Sequence, residues 1–232
     1  MKIVDDAILK QSFISKWAIT DFLPEEIISN IKLCKYNKGE RIVDADDNLY
    51  NLYFLVKGKV RTYKLNREGK IFLFKFSNPL SVFGELEYIT KKSNCAFHHE
   101  TTMESYVLRI SSTDLSELDG NNKLKFMQYI NEALAHKLSS TTALLELFVY
   151  TSLEERLASY MLEISDEVGS FQPSYTVKFN ELAYLLGTSY RHLLRTIKKM
   201  TDQGLVMKEN NEIKVLDEIK LKEITIKNLY EL

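Results

Sequence analysis

The sequence of 232 residues predicts an α+β chain in three consecutive parts: an N-terminal antiparallel jelly roll, a long dimerisation helix and a C-terminal winged helix-turn-helix. Three observations carry this. Short apolar runs broken by turns fill residues 14–118, as in an antiparallel sandwich or jelly roll. An apolar stripe at steps of three or four runs through residues 119–150, which predicts one continuous helix. The segment KFNELAYLLGTSYRHLLRTIKKMTDQGLVMKENNEIKV, Lys178 to Val215 within residues 151–232, reads as two short helices and a small hairpin.

In the first part, Lys38-Gly39-Glu40 precedes Ile42, and Leu52–Val56 runs into Lys57-Gly58. Val60 to Leu65 alternates as a strand and ends at Asn66-Arg67-Glu68-Gly69. Ile71–Phe76 follows that turn, and Tyr106–Ile110 closes the region. Gly39, Gly58 and Gly69 fall where tight turns require positive φ. They mark turns, and their order is what informs.

The second part, about Asn121 to Tyr150, carries Met127, Ile130, Leu134, Leu138, Thr141, Leu145 and Phe148 on one stripe. That repeat resembles a coiled-coil seam and predicts self-association through this helix.

The third part opens with Ser152-Leu153-Glu154-Glu155, a capping-box pattern for a helix running to Ile164. Gly169 to Pro173 reads as a loop. Asn180 is placed to cap the next helix, which ends at Gly187. Ser189 caps a second helix that stops at Gly204. Leu205–Lys208 and Ile213–Val215 form the hairpin, and a charged helix begins near Glu218. On the second helix Leu193, Ile197 and Met200 form one face, with Arg191, Arg195 and Lys198 roughly opposite.

A helix-turn-helix with a wing places one helix in the major groove of double-stranded DNA. Arg191 and Arg195 suit bidentate pairing with guanine edges. Lys198, Lys199 and Lys208 suit phosphates, which add affinity without sequence information. Tyr190 and Leu194 suit thymine methyls or sugar, and Thr188 and Ser189 stand at the helix entrance.

Composition excludes several other classes. Apolar residues make up 45%, which argues for packed cores rather than disorder. The net charge of −1 means that any nucleic-acid contact must use a local basic face. The start, MKIVDDAILKQSF, lacks an apolar run long enough for a signal peptide or a membrane span. Two widely separated cysteines, Cys34 and Cys95, fit a reduced cytoplasm and cannot supply a four-thiolate iron–sulfur cluster from one chain. Cys95, His98 and His99 are close in sequence, but strand alternation sends His98 and His99 to opposite faces of a half-buried strand, so no metal site and no cofactor is expected. No catalytic constellation or phosphate-binding loop is visible, and an enzyme is not expected.

With these residues in view, the chain resembles the CRP/FNR family of bacterial transcription regulators over about Phe22 to Leu221. In the first part the resemblance rests on Lys38-Gly39-Glu40, the run LYFLVKGKVR, Gly69 and Phe83-Gly84-Glu85-Leu86. In the last it rests on ELAYLLGTSYRHLLRTIKKMTDQGLV and the following IKVLD. SYRHLL and GELEYI look most like the YeiL-type branch.

The resemblance implies a cyclic-nucleotide-binding-like effector domain over 14–118, a dimerisation helix over 119–150 and a DNA-binding domain over 151–232. It also implies a homodimer on palindromic promoter DNA. It places an effector pocket at Gly84, Glu85, Cys95 and Ala96. In nucleotide-binding members an arginine followed by serine or threonine occupies the positions of Cys95 and Ala96. A cysteine cannot supply the bidentate charge that a phosphate needs, so cyclic AMP and cyclic GMP are not expected to be effectors. Nucleotide-responsive members also carry Arg-Glu where this chain has Tyr190-Arg191, whereas their later arginine matches Arg195. The expected partners are therefore double-stranded DNA, a second copy of the chain and an unknown small-molecule or redox effector; Cys34 and Cys95 would form a redox switch only if the fold brought them within bonding reach. Contact with RNA polymerase would make it an activator, though no residue identifies such a surface. A sensor module acting through a protein partner is the alternative, and Arg191 and Arg195 discriminate the two.

Overall fold

A computed structural model of the chain describes residues 1–65, 69, 71–92, 94–168, 174–176 and 178–225. It divides into two compact units, the first built from residues 1–64 and 74–139 and the second mainly from residue 140 onward.

The first unit opens with β1 (Lys2–Ile3), α1 (Ala7–Lys16) and α2 (Glu25–Asn30). Six strands and one short helix carry its middle: β2 (Lys32–Tyr36), β3 (Arg41–Val43), β4 (Asn51–Lys57), β5 (Val60–Leu65), β6 (Ile71–Ser77), β7 (Ser81–Phe83) and α3 (Glu85–Thr90). The chain then adds β8 (His98–Thr101), β9 (Ser105–Ser111) and α4 (Ser112–Ser116), and enters the long helix α5 (Gly120–Tyr150). One sheet has the order β1-β2-β9-β4-β7 and faces a second of order β3-β8-β5-β6, the antiparallel jelly-roll arrangement.

Strand alternation lets the larger sheet bury both faces. Leu52, Phe54 and Val56 of β4 join Leu108 and Ile110 of β9 in a core shared with α1, α2 and the start of α5. Leu55 and Val107 turn the other way, into an inter-sheet core with Cys34, Val60, Phe83 and Cys95. Each such fully buried aliphatic or aromatic side chain contributes about 1.5–3 kcal/mol. Gly58 shows how tightly the turns close: its φ is 101°, and a Cβ there would meet Ser105 Oγ at 2.2 Å.

The start of α5 is fastened to this unit. Phe126 and Ile130 are fully buried, and Tyr129 stacks on Phe22 with ring centroids 3.8 Å apart. This revises the single dimerisation seam expected from sequence. Ile130 lies in the unit's own core, and Met127 and Leu134 pack against it. Leu138 and Leu145 are 70% and 62% exposed, and Thr141 is half-buried. The Phe148 side chain lies outside the described residues. One stripe therefore serves two ends: its first half holds the helix to its own domain, and its second half presents apolar side chains to solvent.

The second unit contains α6 (Leu153–Val168), β10 (Ser174–Thr176), α7 (Phe179–Leu185), α8 (Tyr190–Asp202), β11 (Val206–Glu209), β12 (Glu212–Val215) and α9 (Glu218–Ile224). The capping box at Ser152 forms reciprocally: Glu155 N–H donates to Ser152 Oγ at 3.2 Å, and Ser152 N–H donates to Glu155 Oε2 at 2.6 Å. The wing has three strands in the order β10-β12-β11. The β11–β12 hairpin is legible in the sequence but β10, three residues long, is not, and residues 169–173, expected to form a loop, lie outside the described residues.

His98 and His99 do take opposite sides of β8, as alternation requires, yet both are buried rather than half-exposed. His98 stacks on Tyr63 and His99 packs against Phe83, with His99 Nδ1 3.0 Å from Thr62 Oγ1. Among the described residues no group of three or more His, Cys, Asp or Glu could hold a metal. Burial, together with the charges of Lys137 and Lys75, pushes His99 down from 6.5 to about 3. The imidazole is therefore neutral in the folded chain, while the unfolded chain takes up a proton as pH falls through 6.5. Stability due to His99 should be fully present above pH 6.5 and decline below it, with a slope approaching about 1.4 kcal/mol per pH unit. Urea unfolding at pH 7 and pH 5 tests this: the wild type should lose more stability than His99→Gln, and equal losses would refute it.

Candidate nucleic-acid interface

The turn between α7 and α8 is built by local chemistry. Helix α7 ends at Leu185, Gly187 takes φ 65°, and Thr188 N–H donates back to Ala183 O at 2.9 Å. That closure is the left-handed helix end that glycine permits. Ser189 caps α8: its φ of −81° and ψ of 149° are extended, and its Oγ accepts from His192 N–H at 3.2 Å. Asn180 is not a cap, because α7 already includes it and Leu182 N–H donates to Lys178 O at 3.0 Å.

Helix α8 separates its faces cleanly. Leu193, Ile197 and Met200 are buried in a core with Leu157 and Met161 of α6, Leu182 and Leu186, and Val206, Ile213 and Val215 of the wing. Arg191, Arg195 and Lys198, spaced four and three apart, are exposed on the opposite face. Tyr190 is half-exposed on one flank. His192, exposed on the other flank with Nδ1 3.2 Å from Thr188 Oγ1, is a position the sequence reading passed over. Its outward direction follows from the same helical period that located the arginines.

Three other residues expected at this surface have intramolecular roles. Lys199 is ion-paired with Glu154 of α6, so its ammonium is already held by a carboxylate. Leu194 is half-buried against the winged core, which limits its reach toward a base. Lys208 stands over the Phe179 ring at 5.0 Å, a cation–π contact that ties the wing to α7. The wing strands pair in register, Met207 opposite Lys214, and turn at Asn210, whose φ is 51°. Lys214 is paired with Glu209 at 2.6 Å, so the wing tip carries its own compensating charge.

The four residues expected to line an effector pocket sit apart in role. Gly84, at φ 93°, precedes α3, and a Cβ there would meet Leu49 Cδ2 at 2.5 Å and Asn51 O at 2.9 Å. Glu85 is only 3% exposed and is ion-paired with Lys137 of α5, whose Nζ also donates to Val82 O at 2.6 Å. Cys95 is buried, with Sγ 3.2 Å from Phe97 O, and burial pushes its thiol up to about 11. Ala96 is exposed, and its N–H reaches the buried Glu87 carboxylate at 3.4 Å. Cys34 and Cys95 are both free and buried, and burial raises the pKa of Cys34 as well. That disfavours the thiolate which disulfide exchange requires. Tyr88 packs edge-on against Phe126 of α5, while Phe74 and Phe97 touch each other at 5.1 Å.

The Ser189 cap sets where α8 begins and hence where Tyr190 and Arg191 point. Replacing it by alanine should cost about 1 kcal/mol of stability in urea unfolding. A loss within a few tenths of zero would show that the cap is dispensable.

Comparison with known proteins agrees with this architecture. Residues 33–122 match the cyclic nucleotide-binding domain family, and residues 155–224 match the Crp-like helix-turn-helix domain family. Together the two matches cover more than half of the chain. The chain is 26% identical over 199 residues to the regulatory protein YeiL of Escherichia coli O157:H7, covering 84% of this chain and 85% of that protein. It is 23% identical over 212 residues to the cyclic AMP receptor protein of Thermus thermophilus, covering 87% and 93%. A crystal structure of a crp/fnr-family regulator from Eubacterium rectale shares the fold, with a TM-score of 0.72, 20% identity and 95% of each chain covered. Among the described residues no helix is long and apolar enough to cross a membrane. The chain thus belongs to the CRP/FNR family, as a transcriptional regulator with a helix-turn-helix DNA-binding domain.

Proposed function

We propose that the protein is a homodimer that reads two-fold symmetric promoter DNA with α8 in the major groove, and that cyclic AMP and cyclic GMP are not its effectors. The observation that carries the DNA reading is the exposed row Arg191, Arg195 and Lys198, held outward by the burial of Leu193, Ile197 and Met200. Arg191 and Arg195 read base edges, with Tyr190 and His192 beside them. Lys198 contacts phosphate, and Thr188 and Ser189 bring the helix N-terminus to the backbone. Lys199 and Lys208 act first within the domain, through Glu154 and Phe179. The working division is an effector domain over 14–118, a dimerisation helix over 119–150 and a DNA-binding domain over 151–232.

Self-association is supported by Leu138 and Leu145, exposed seven residues apart on α5, the heptad spacing of a coiled-coil seam. Insensitivity to cyclic nucleotides is supported by Cys95 and Ala96, which offer no cation, and by Glu85, whose carboxylate is already engaged by Lys137. Titration of the purified protein with either nucleotide should give no saturable binding.

Selection from random duplex DNA at a stated salt concentration should enrich a symmetric site with half-sites about one helical turn apart. An asymmetric site, or no site, would count against the dimeric reader. In sedimentation, Leu138→Glu with Leu145→Glu should convert a dimer to a monomer. A dimer that survives both changes would remove α5 as the interface.

A further inference from the structure

The second half of strand β6 (Ile71–Ser77), from Phe74 to Ser77, alternates two kinds of side chain. Phe74 and Phe76 take one face, where Phe74 meets Phe97 at 5.1 Å and Lys59 stands over Phe76 at 5.3 Å. Lys75 and Ser77 share the other face by the two-residue period of a strand. Lys75 is half-buried, feels the charges of Lys137 and Glu85, and acts in turn on His99. Its ammonium has no hydrogen-bond or ion-pair partner among the described residues. Ser77 is only 3% exposed, and its Oγ likewise has no hydrogen-bond partner. A buried hydroxyl without a partner is costly, and a half-buried ammonium without a counter-charge is more so.

The neighbouring groups do not supply what is missing. Glu85 is already committed to Lys137, and the Glu87 carboxylate faces the Ala96 N–H. His99 is neutral and bound to Thr62 through Nδ1. Tyr129 and Cys95, whose pKa values burial raises with a smaller push from the Glu85 charge, stay protonated. Lys137 thus takes the Glu85 carboxylate, which leaves the Lys75 charge uncompensated on the same strand face as an unused hydroxyl. Burial and the nearby Lys137 lower Lys75 to about 8, the mark of a cation lacking its counter-ion.

We propose that Lys75 and Ser77, next to the Glu85–Lys137 pair, form a site for a small anion bearing a carboxylate or phosphate group. This deepens the effector-domain reading and rests on it. The site differs from a cyclic-phosphate cradle at Cys95 and Ala96, because its cations come from β6 and α5. Lys75 supplies a point charge and Ser77 a hydroxyl donor, a pairing that suits a single oxyanion group rather than a planar bidentate fork. An anion drawn to Lys75 also attracts Lys137. Occupancy therefore loosens the Lys137–Glu85 contact that helps to hold α5 on the jelly roll, and it gives the ligand a direct grip on that helix.

The test is thermal unfolding of the full chain titrated with inorganic phosphate or with succinate, each against chloride at matched ionic strength. The wild type should show a saturable rise in midpoint with at least one of the two anions. Lys75→Met should weaken that response by about tenfold or more, and Ser77→Ala should weaken it less. A response to phosphate alone assigns a phosphoryl ligand, and a response to succinate alone assigns a carboxylate. No saturable rise with either anion overturns the proposal, as does a response in Lys75→Met equal to that of the wild type. Should Lys75→Met fold poorly, an undiminished response in Ser77→Ala and in Lys75→Gln overturns it instead. An Arg191→Ala/Arg195→Ala variant should keep the anion response while losing DNA binding, so the two readings fail separately.

Discussion

The burial of Leu193, Ile197 and Met200 in the core of the second unit is the constraint on which the DNA-facing surface depends. A helix of thirteen residues cannot hide those three side chains and also hide Arg191, Arg195 and Lys198, because the two sets lie on opposite sides of a 3.6-residue turn. The apolar set is large enough that burying it is worth several kcal/mol, far more than any solvated charge gains by choosing a direction. The cations therefore face outward as a consequence of packing. The Gly187 turn and the Ser189 cap then fix the register at which the cationic row begins.

A comparable economy governs the first unit. Helix α5 is attached through Phe126, Ile130 and the Tyr129–Phe22 stack, and once more through Lys137 on Glu85. The apolar contacts set where the helix lies, whereas the ion pair is a contact whose strength a ligand's charge can alter. A surface ion pair would contribute little, but here the carboxylate is almost wholly removed from water, so losing its partner would leave a buried charge uncompensated. The seven-residue separation of Leu138 and Leu145 then gives the same helix a second apolar surface beyond the part committed to the jelly roll.

Much of this was legible in the sequence because periodicity survives in single side chains. The alternation from Val60 to Leu65 identified β5, the Ser152–Glu155 spacing identified the cap of α6, and the 3.6-residue pattern divided α8 into its two faces. What periodicity could not show was the partner of each stripe. Ile130 and Leu138 look alike in sequence, yet one lies in its own domain's core and the other is exposed, because only the tertiary fold decides how far the jelly roll reaches along α5. Lys198 and Lys199 are adjacent exposed cations, and only the position of Glu154 makes Lys199 the paired one. Lys137 carried no signal at all, since its partner Glu85 is 52 residues away in the chain. Asn180 misled because a good capping residue stood one position inside a helix that started earlier.

The central claim is that side chains on the outward face of α8 read base identity. It is tested most directly by comparing the base preferences of the wild type, Arg195→Ala and Lys198→Ala on duplex DNA at one fixed salt concentration. The account predicts that Arg195→Ala relaxes preference at one symmetric pair of positions, at a cost of about 1–3 kcal/mol, while Lys198→Ala weakens all sequences alike. Identical base preferences in all three proteins would contradict it and would assign the reading of sequence to another surface.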